Sequence, residues 1–160
     1  MNQSTIQWEL ALQTTLRRCM DAVVRASNAD AALLEKAKMD KNQIRNVLNV
    51  AEESHSVAVV ANFIRYQLGR SQTRLAWQHN EFGKQVIKQI ESQTGIVYQQ
   101  AQKVLQTLRH QYPDLPDIVA HRVHYELMRH YLGYLNRAFV YGNSNLKNAW
   151  ENLRRAGQEV

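Results

Sequence analysis

The sequence predicts an all-α protein: a single compact bundle of about five to six helices in one domain over residues 1–160. Two observations predict this class. The chain has only 6 Gly and 2 Pro, and both prolines, Pro113 and Pro116, lie in one short segment, so little else interrupts helices. Apolar residues also recur at steps of three and four along most of the chain. Hydrophobic residues make up 44% of the sequence and charged residues 21%, which is typical of a globular protein.

The first helix is predicted to begin at Ser4 or Thr5 and to end near Ala26. We expect a break at residues 27–30, because short polar side chains there compete for backbone hydrogen bonds. A second helix is predicted for residues 31–53, and its polar middle favours a split.

Ser54 or Ser56 is predicted to cap a third helix that ends near Gly69. Residues 71–80 are interpreted as a connection, and Asn80 is predicted to cap the fourth helix.

Gly95 is expected to kink or divide the fourth helix, because glycine disfavours a helix interior. The segment that contains Pro113 and Pro116 is then predicted to end the helical pattern. A fifth helix is predicted from about Asp117 to Gly142, with Tyr131 packed in the core. Asn143 or Ser144 is predicted to begin a last helix.

The charge balance favours a polyanionic partner. Twenty Lys and Arg residues against 14 Asp and Glu give a net charge of +6. Most of this excess lies in the middle of the chain, where residues 54–112 carry seven basic and two acidic side chains. A basic total alone is also consistent with simple solubility. The arrangement of the charges has to distinguish between solubility and a polyanionic partner.

Cys19 is the single cysteine, and an unpaired thiol is typical of a reducing compartment, so a cytoplasmic location is expected. The first residues lack the basic and apolar pattern of a signal peptide, and no segment has the length of apolar sequence that a membrane span needs. We therefore expect a soluble protein without a membrane partner.

The segment 62–74 (NFIRYQLGRSQTR) joins an apolar helical stripe to three arginines with no acidic residue among them. Two lysines follow on the next predicted helix. These cations have a simple structural interpretation as helix-end charges, and a functional one as phosphate contacts. Three arginines of the fifth helix, spaced seven and eight apart, form a second row that could follow a nucleic-acid backbone. The predicted nucleic-acid-binding residues are Arg65, Arg70, Arg74, Lys84 and Lys88, with Arg122, Arg129 and Arg137 as second choices.

The sequence contains no pattern typical of an enzyme or a metal site. His121 and His124 are three residues apart, but no carboxylate joins them in the i, i+3 or i+4 arrangement of di-metal helical bundles. Glycine-rich phosphate loops and nucleophile elbows are not found. We expect no catalytic residue, no metal and no cofactor.

Three segments carry a family resemblance: residues 62–70 (NFIRYQLGR), Phe82–Gly83 at a helix start, and residues 131–137 (YLGYLNR). From about Gln43 onward the chain resembles the small subunits of CRISPR interference complexes. It is most similar to the C-terminal helical part of the large subunit of type I-D Cascade, which can also be made as a separate small subunit.

The resemblance implies a non-enzymatic protein of antiviral defence, present in several copies along a crRNA-guided complex. Its partners would be the backbones of DNA and guide RNA, other subunits, and further copies of itself. Base pairing with the guide RNA would then recognise the sequence of the target nucleic acid. Three alternatives remain open: a helical protein-interaction adaptor, a general nucleic-acid-binding bundle outside CRISPR systems, and a cryptic helical enzyme or metal protein.

Overall fold

The structure is a computed structural model that describes residues 3–158. These residues form nine α-helices and no β-strand, which confirms the all-α prediction. Seven of the helices have ten or more residues, slightly more than the five to six expected. The bounds are α1 Gln3–Arg17, α2 Met20–Ala31, α3 Gln43–Ser54, α4 Val57–Gly69, α5 Arg74–Gln78, α6 Phe82–Glu91, α7 Ile96–Gln111, α8 Ile118–Gly142 and α9 Ala149–Ala156.

The first predicted helix is divided earlier than expected. The chain turns at Arg18 and Cys19, where the Cys19 N–H donates to the Leu16 carbonyl at 2.9 Å, a tighter bond than the regular helical one. The prediction of one continuous helix to Ala26 was therefore wrong. This turn separates α1 from α2 and sets the direction in which α2 crosses the protein.

The break predicted at residues 27–30 was also wrong, because those residues lie inside α2. The Ser27 hydroxyl lies 2.8 Å from the Val23 carbonyl and 3.1 Å from the Tyr131 carbonyl, so it has acceptors on its own helix and on α8. The Asp30 carboxylate is buried and accepts hydrogen bonds from other helices. Tertiary partners thus replace the local bonds that would have ended the helix.

The second predicted helix is interrupted as expected, and its later half is α3. Its first half was wrong, because a short 3₁₀ helix at Ala32–Leu34 and a loop separate α2 from α3. Ser56 caps α4 as predicted, and its Oγ accepts from the Val59 N–H at 3.2 Å.

The segment 71–80, predicted as a connection, contains the short helix α5. Asn80 does not cap α6. It has a left-handed backbone (φ 49°), and its amide donates to the Leu33 carbonyl at 2.9 Å. This bond connects the residues before α6 to the 3₁₀ helix that follows α2.

Gly95 lies between α6 and α7, so the predicted division is confirmed. The proline segment separates α7 from α8, and α8 ends at Gly142 as predicted. The last helix begins at Ala149 and not at residue 143 or 144, because the intervening loop includes left-handed residues at Asn145 and Asn148.

The long helix α8 organises the core and packs against α2, α3, α7 and α9. Its Leu127, Tyr131 and Leu135 are fully or almost fully buried, which confirms the packing role predicted for Tyr131. Burial of such apolar side chains is the main favourable contribution to folding. Within residues 3–158, no helix combines the length and the apolar character that a membrane crossing requires.

Candidate nucleic-acid interface

An open groove of about 450 Å³ lies between the start of α2 and the middle of α7. Two stripes of side chains face each other across it, and each has the i, i+3, i+4, i+7 spacing of one helix face. Ala22 leaves space on the α2 side because its side chain is short. The first stripe is Arg18, Asp21, Ala22 and Arg25, and the second is Gln100, Lys103, Val104 and Thr107.

Three of these side chains are cationic: Arg18, Arg25 and Lys103. None of them forms an ion pair with a carboxylate in the described part of the chain. Asp21 is the acidic side chain of the groove, so its charged groups carry a net positive charge. Free guanidinium groups can bind phosphate through two parallel N–H donors, and a free ammonium can bind it as a point charge.

Cys19 also lines this groove. Burial raises the pKa of its thiol, and the positive charge of Lys103 opposes that shift. A thiol held in its neutral form is a poor nucleophile. The chemistry of the groove is therefore charge attraction and hydrogen bonding.

Two of the five first-choice cations are paired with carboxylates. Arg65 binds Glu91 through two N–H donors, at 2.6 and 3.2 Å, and the Lys84 ammonium lies 3.1 Å from a Glu81 oxygen. The hydrogen bond from Arg65 holds the pKa of Glu91 below its ordinary value. Exposed pairs of this kind contribute little to stability, but a phosphate would have to compete with the carboxylate.

Arg70, Arg74 and Lys88 form no ion pair among the described residues. Arg70 and Arg74 flank the α4–α5 junction, where the Arg70 guanidinium lies 5.8 Å from the centre of the Tyr66 ring. Lys88 lines a shallow surface groove together with Lys84, beside α2. The predicted cations therefore lie in two places: Arg70 and Arg74 at the α4–α5 junction, and Lys84 and Lys88 on α6.

The predicted row on α8 is interrupted by acidic partners. Arg122 pairs with Glu9 of α1, and Arg129 pairs with Glu126 at 3.0 Å. Arg137 forms no ion pair among the described residues, and its guanidinium lies 5.8 Å from the Tyr134 ring centre. Only the last of the three therefore presents an uncompensated charge.

The predicted set omitted Arg18, Arg25 and Lys103. The spacing of seven residues between the two arginines was a usable signal, because the first predicted helix included both positions and would place them on one face. In the structure Arg18 lies in the turn before α2, and Arg25 lies within α2. No local pattern indicated that Lys103, 78 positions after Arg25, faces the same groove. That proximity arises from the packing of α2 against α7.

Three of the six histidines, His55, His121 and His124, line one surface pocket, and His79, His110 and His130 do not line it. The His79 ring nitrogen lies 2.9 Å from the Glu35 carbonyl, and the His124 Nδ1 lies 2.8 Å from the Ala120 carbonyl. In residues 3–158, no three His, Cys, Asp or Glu side chains are grouped so that they could share a metal ion.

Comparison of the chain with protein-family models, with curated proteins and with solved structures found no match.

Proposed function

We propose that this protein is a non-catalytic subunit that binds the phosphate backbone of nucleic acid without reading its sequence. The observation that carries the proposal is the α2–α7 groove, in which Arg18, Arg25 and Lys103 are free of carboxylate partners. The net charge of +6 adds long-range attraction for a polyanion. Arg70, Arg74, Lys88 and Arg137 are further unpaired cations that would extend the contact.

Backbone binding fits these side chains better than base reading. Sequence-specific proteins insert a helix or a β-ribbon into the major groove of DNA and hydrogen-bond to base edges. Here the cations line a recess between two helices and do not project from one protruding helix. Cations in such a recess are suited to phosphates, which look the same in every sequence.

The resemblance to small subunits of CRISPR interference complexes extends this proposal to an assembly. In that setting the protein would hold guide RNA and target or displaced DNA, next to other subunits and further copies of itself. Sequence specificity would come from base pairing with the guide RNA. Co-purification of Cas proteins and crRNA with the chain from its native host tests this part of the proposal.

We expect the variant R18Q/R25Q/K103Q to bind single- and double-stranded DNA and RNA more weakly and with a weaker salt dependence. Each lost phosphate contact reduces the slope of log K against log salt concentration by about 0.7–0.9, so three contacts reduce it by about 2–3. The measurement is fluorescence anisotropy of labelled oligonucleotides across a salt series.

The matched control is R154Q/R155Q/K147Q, which removes the same charge from α9 and the loop before it. Arg154 and Arg155 already pair with Glu35 and Glu151, so this variant should keep most of the slope. Equal slopes for the two variants would contradict the groove as the contact. Wild-type affinity that does not change with salt would contradict nucleic-acid binding itself.

A protein-interaction adaptor is the second candidate function, and exposed apolar side chains favour it. Tyr66 is 58% exposed and Leu75 is 80% exposed, on α4 and α5 respectively. If the two side chains form one apolar patch, a partner that covers both is the expectation of this alternative. Charge reversal at Arg65, Arg70 and Arg74 would leave an apolar partner bound, whereas it would weaken the binding of nucleic acid.

A further inference from the structure

A second pocket, of about 510 Å³, lies on the face where α3 meets α4, and helices α6, α7 and α8 complete its walls. Its floor is apolar and includes Val57 and Ile90. Five aromatic or imidazole rings stand around this floor. They belong to His55, Tyr98, His121, His124 and Tyr125.

Two of these rings are stacked face to face, so each has its outer face left for a further ring. His55 and Tyr125 are stacked, with ring centres 4.2 Å apart and ring planes inclined by 13°. His55 is held there by its left-handed backbone (φ 50°, ψ 31°) at the end of α3. Because the two rings come from different helical segments, their parallel arrangement depends on the fold and is fixed before a ligand arrives.

Tyr98 and His124 form a second pair of rings, with centres 6.0 Å apart and planes inclined by 52°. The His124 Nδ1 lies 2.8 Å from the Ala120 carbonyl, so this nitrogen carries the proton and donates it. In the neutral ring the Nε2 atom is then a free acceptor. It can receive an N–H from the edge of a planar ligand.

Charged groups stand at the rim. Glu91 lines the pocket, and both of its oxygens are bound by Arg65. That pairing uses two of the five N–H donors of the guanidinium, and the Arg65 side chain is 54% exposed. Three N–H donors of the guanidinium remain for a phosphate, which would compete with the neighbouring Glu91 carboxylate for the positive charge.

We propose that this pocket binds one unpaired base of a single-stranded nucleic acid, with the adjoining phosphate next to Arg65. Base–aromatic stacking tolerates any base, because every base has a π-face, so the site would not require a particular sequence. A phosphate contact combined with a stacked base is the pattern by which proteins hold single strands. This inference rests on the proposed function and names single-stranded nucleic acid as its ligand.

The test compares two oligonucleotides of equal length and charge, one with bases and one abasic throughout, at the same salt concentration. Wild type is expected to bind the base-bearing strand about 5- to 150-fold more tightly, which is the range of one base–aromatic stack. The variant Y98L/Y125L should lose this preference and keep the salt slope. The control Y134L removes a half-buried tyrosine of α8 outside the pocket and should retain the preference.

Equal wild-type affinity for the two strands would overturn this inference and leave backbone binding intact. Binding of neither strand would instead overturn the proposed function, and this inference with it. Circular dichroism shows whether each variant is folded. If Y98L/Y125L does not fold, photocrosslinking of wild type to a strand that contains 5-iodouracil tests the proposal instead. Crosslinks at Tyr98, His124 or Tyr125 are expected. Crosslinks confined to other residues would overturn the proposal.

Discussion

Replacing Asp30 with alanine is expected to lower the free energy of unfolding by about 2–5 kcal/mol. The carboxylate is 4% exposed and accepts three hydrogen bonds: from the Tyr131 hydroxyl at 2.6 Å, from the Gln85 amide at 3.0 Å and from the Gln89 amide at 2.8 Å. These bonds join α2 to α6 and α8. Without the acceptor, the fully buried Tyr131 hydroxyl would lose its hydrogen-bond partner, and a buried hydroxyl without a partner destabilises the folded state. Urea denaturation followed by circular dichroism measures the loss.

Asp21 provides the matched control, because it lies on the same helix and is exposed. Asp21→Ala should change the unfolding free energy by no more than about 0.5 kcal/mol. Tyr131→Phe removes one of the three donors and should cost less than Asp30→Ala. Equal stability of Asp30→Ala and wild type would show that the network does not hold the three helices together.

The same carboxylate makes a definite contribution to the pH dependence of stability. Burial raises the pKa of Asp30, and the hydrogen bonds from Tyr131, Gln89 and Gln85 and the charge of Lys88 oppose the shift. The native state therefore holds this proton more tightly than the unfolded chain does. The resulting stabilisation is complete below the unfolded pKa and is lost as the pH rises through the native pKa. Asp30→Asn should remove this component of a stability–pH curve.

Replacing Gly95 with alanine is expected to destabilise the protein by about 3 kcal/mol, at the upper end of typical overpacking costs. An added Cβ would lie 2.1 Å from the Lys88 carbonyl oxygen and 2.7 Å from the Gln89 carbonyl oxygen. Both are backbone atoms, which cannot rotate away as a side chain can. The Gly95 backbone itself is ordinary (φ −78°, ψ 159°), so close packing alone excludes a larger residue. The midpoint of urea denaturation measures the effect.

Gly133→Ala is the comparison for this prediction. Gly133 lies within α8, and an added Cβ would meet no other heavy atom within 4 Å. Alanine should therefore raise the unfolding free energy, by up to about 1 kcal/mol, through its higher helix propensity. A Gly95→Ala variant as stable as wild type would contradict this prediction. It would mean that the turn between α6 and α7 can widen to admit a Cβ with no loss of unfolding free energy.

Local signals in the sequence predicted the helix boundaries that depend on local chemistry. Ser56 caps α4 through its own hydroxyl, and Gly95 and the proline segment interrupt the chain as predicted. Predictions failed where a distant partner changes the local preference. Asp30 was expected to end a helix, and it stays helical because donors on α6 and α8 satisfy it.

In the candidate site, too, local features could be predicted from the sequence and contacts between distant residues could not. Helical spacing correctly placed Arg65 away from the buried Ile64. It could not indicate that Arg65 pairs with Glu91, or that Arg122 pairs with Glu9, because these partners are 26 and 113 positions apart in sequence. Whether a cation is free or neutralised depends on contacts between helices.

The sequence by itself determined the all-α class, the net positive charge and the face on which most side chains lie, because helical periodicity and composition are local properties. Only the tertiary structure decided which faces meet. It placed Arg18 and Arg25 opposite Lys103, and it assembled His55, Tyr98 and Tyr125 around one pocket. The physical reason is that many helix pairings are compatible with the same apolar stripes, and the packing of side chains distant in sequence selects one of them.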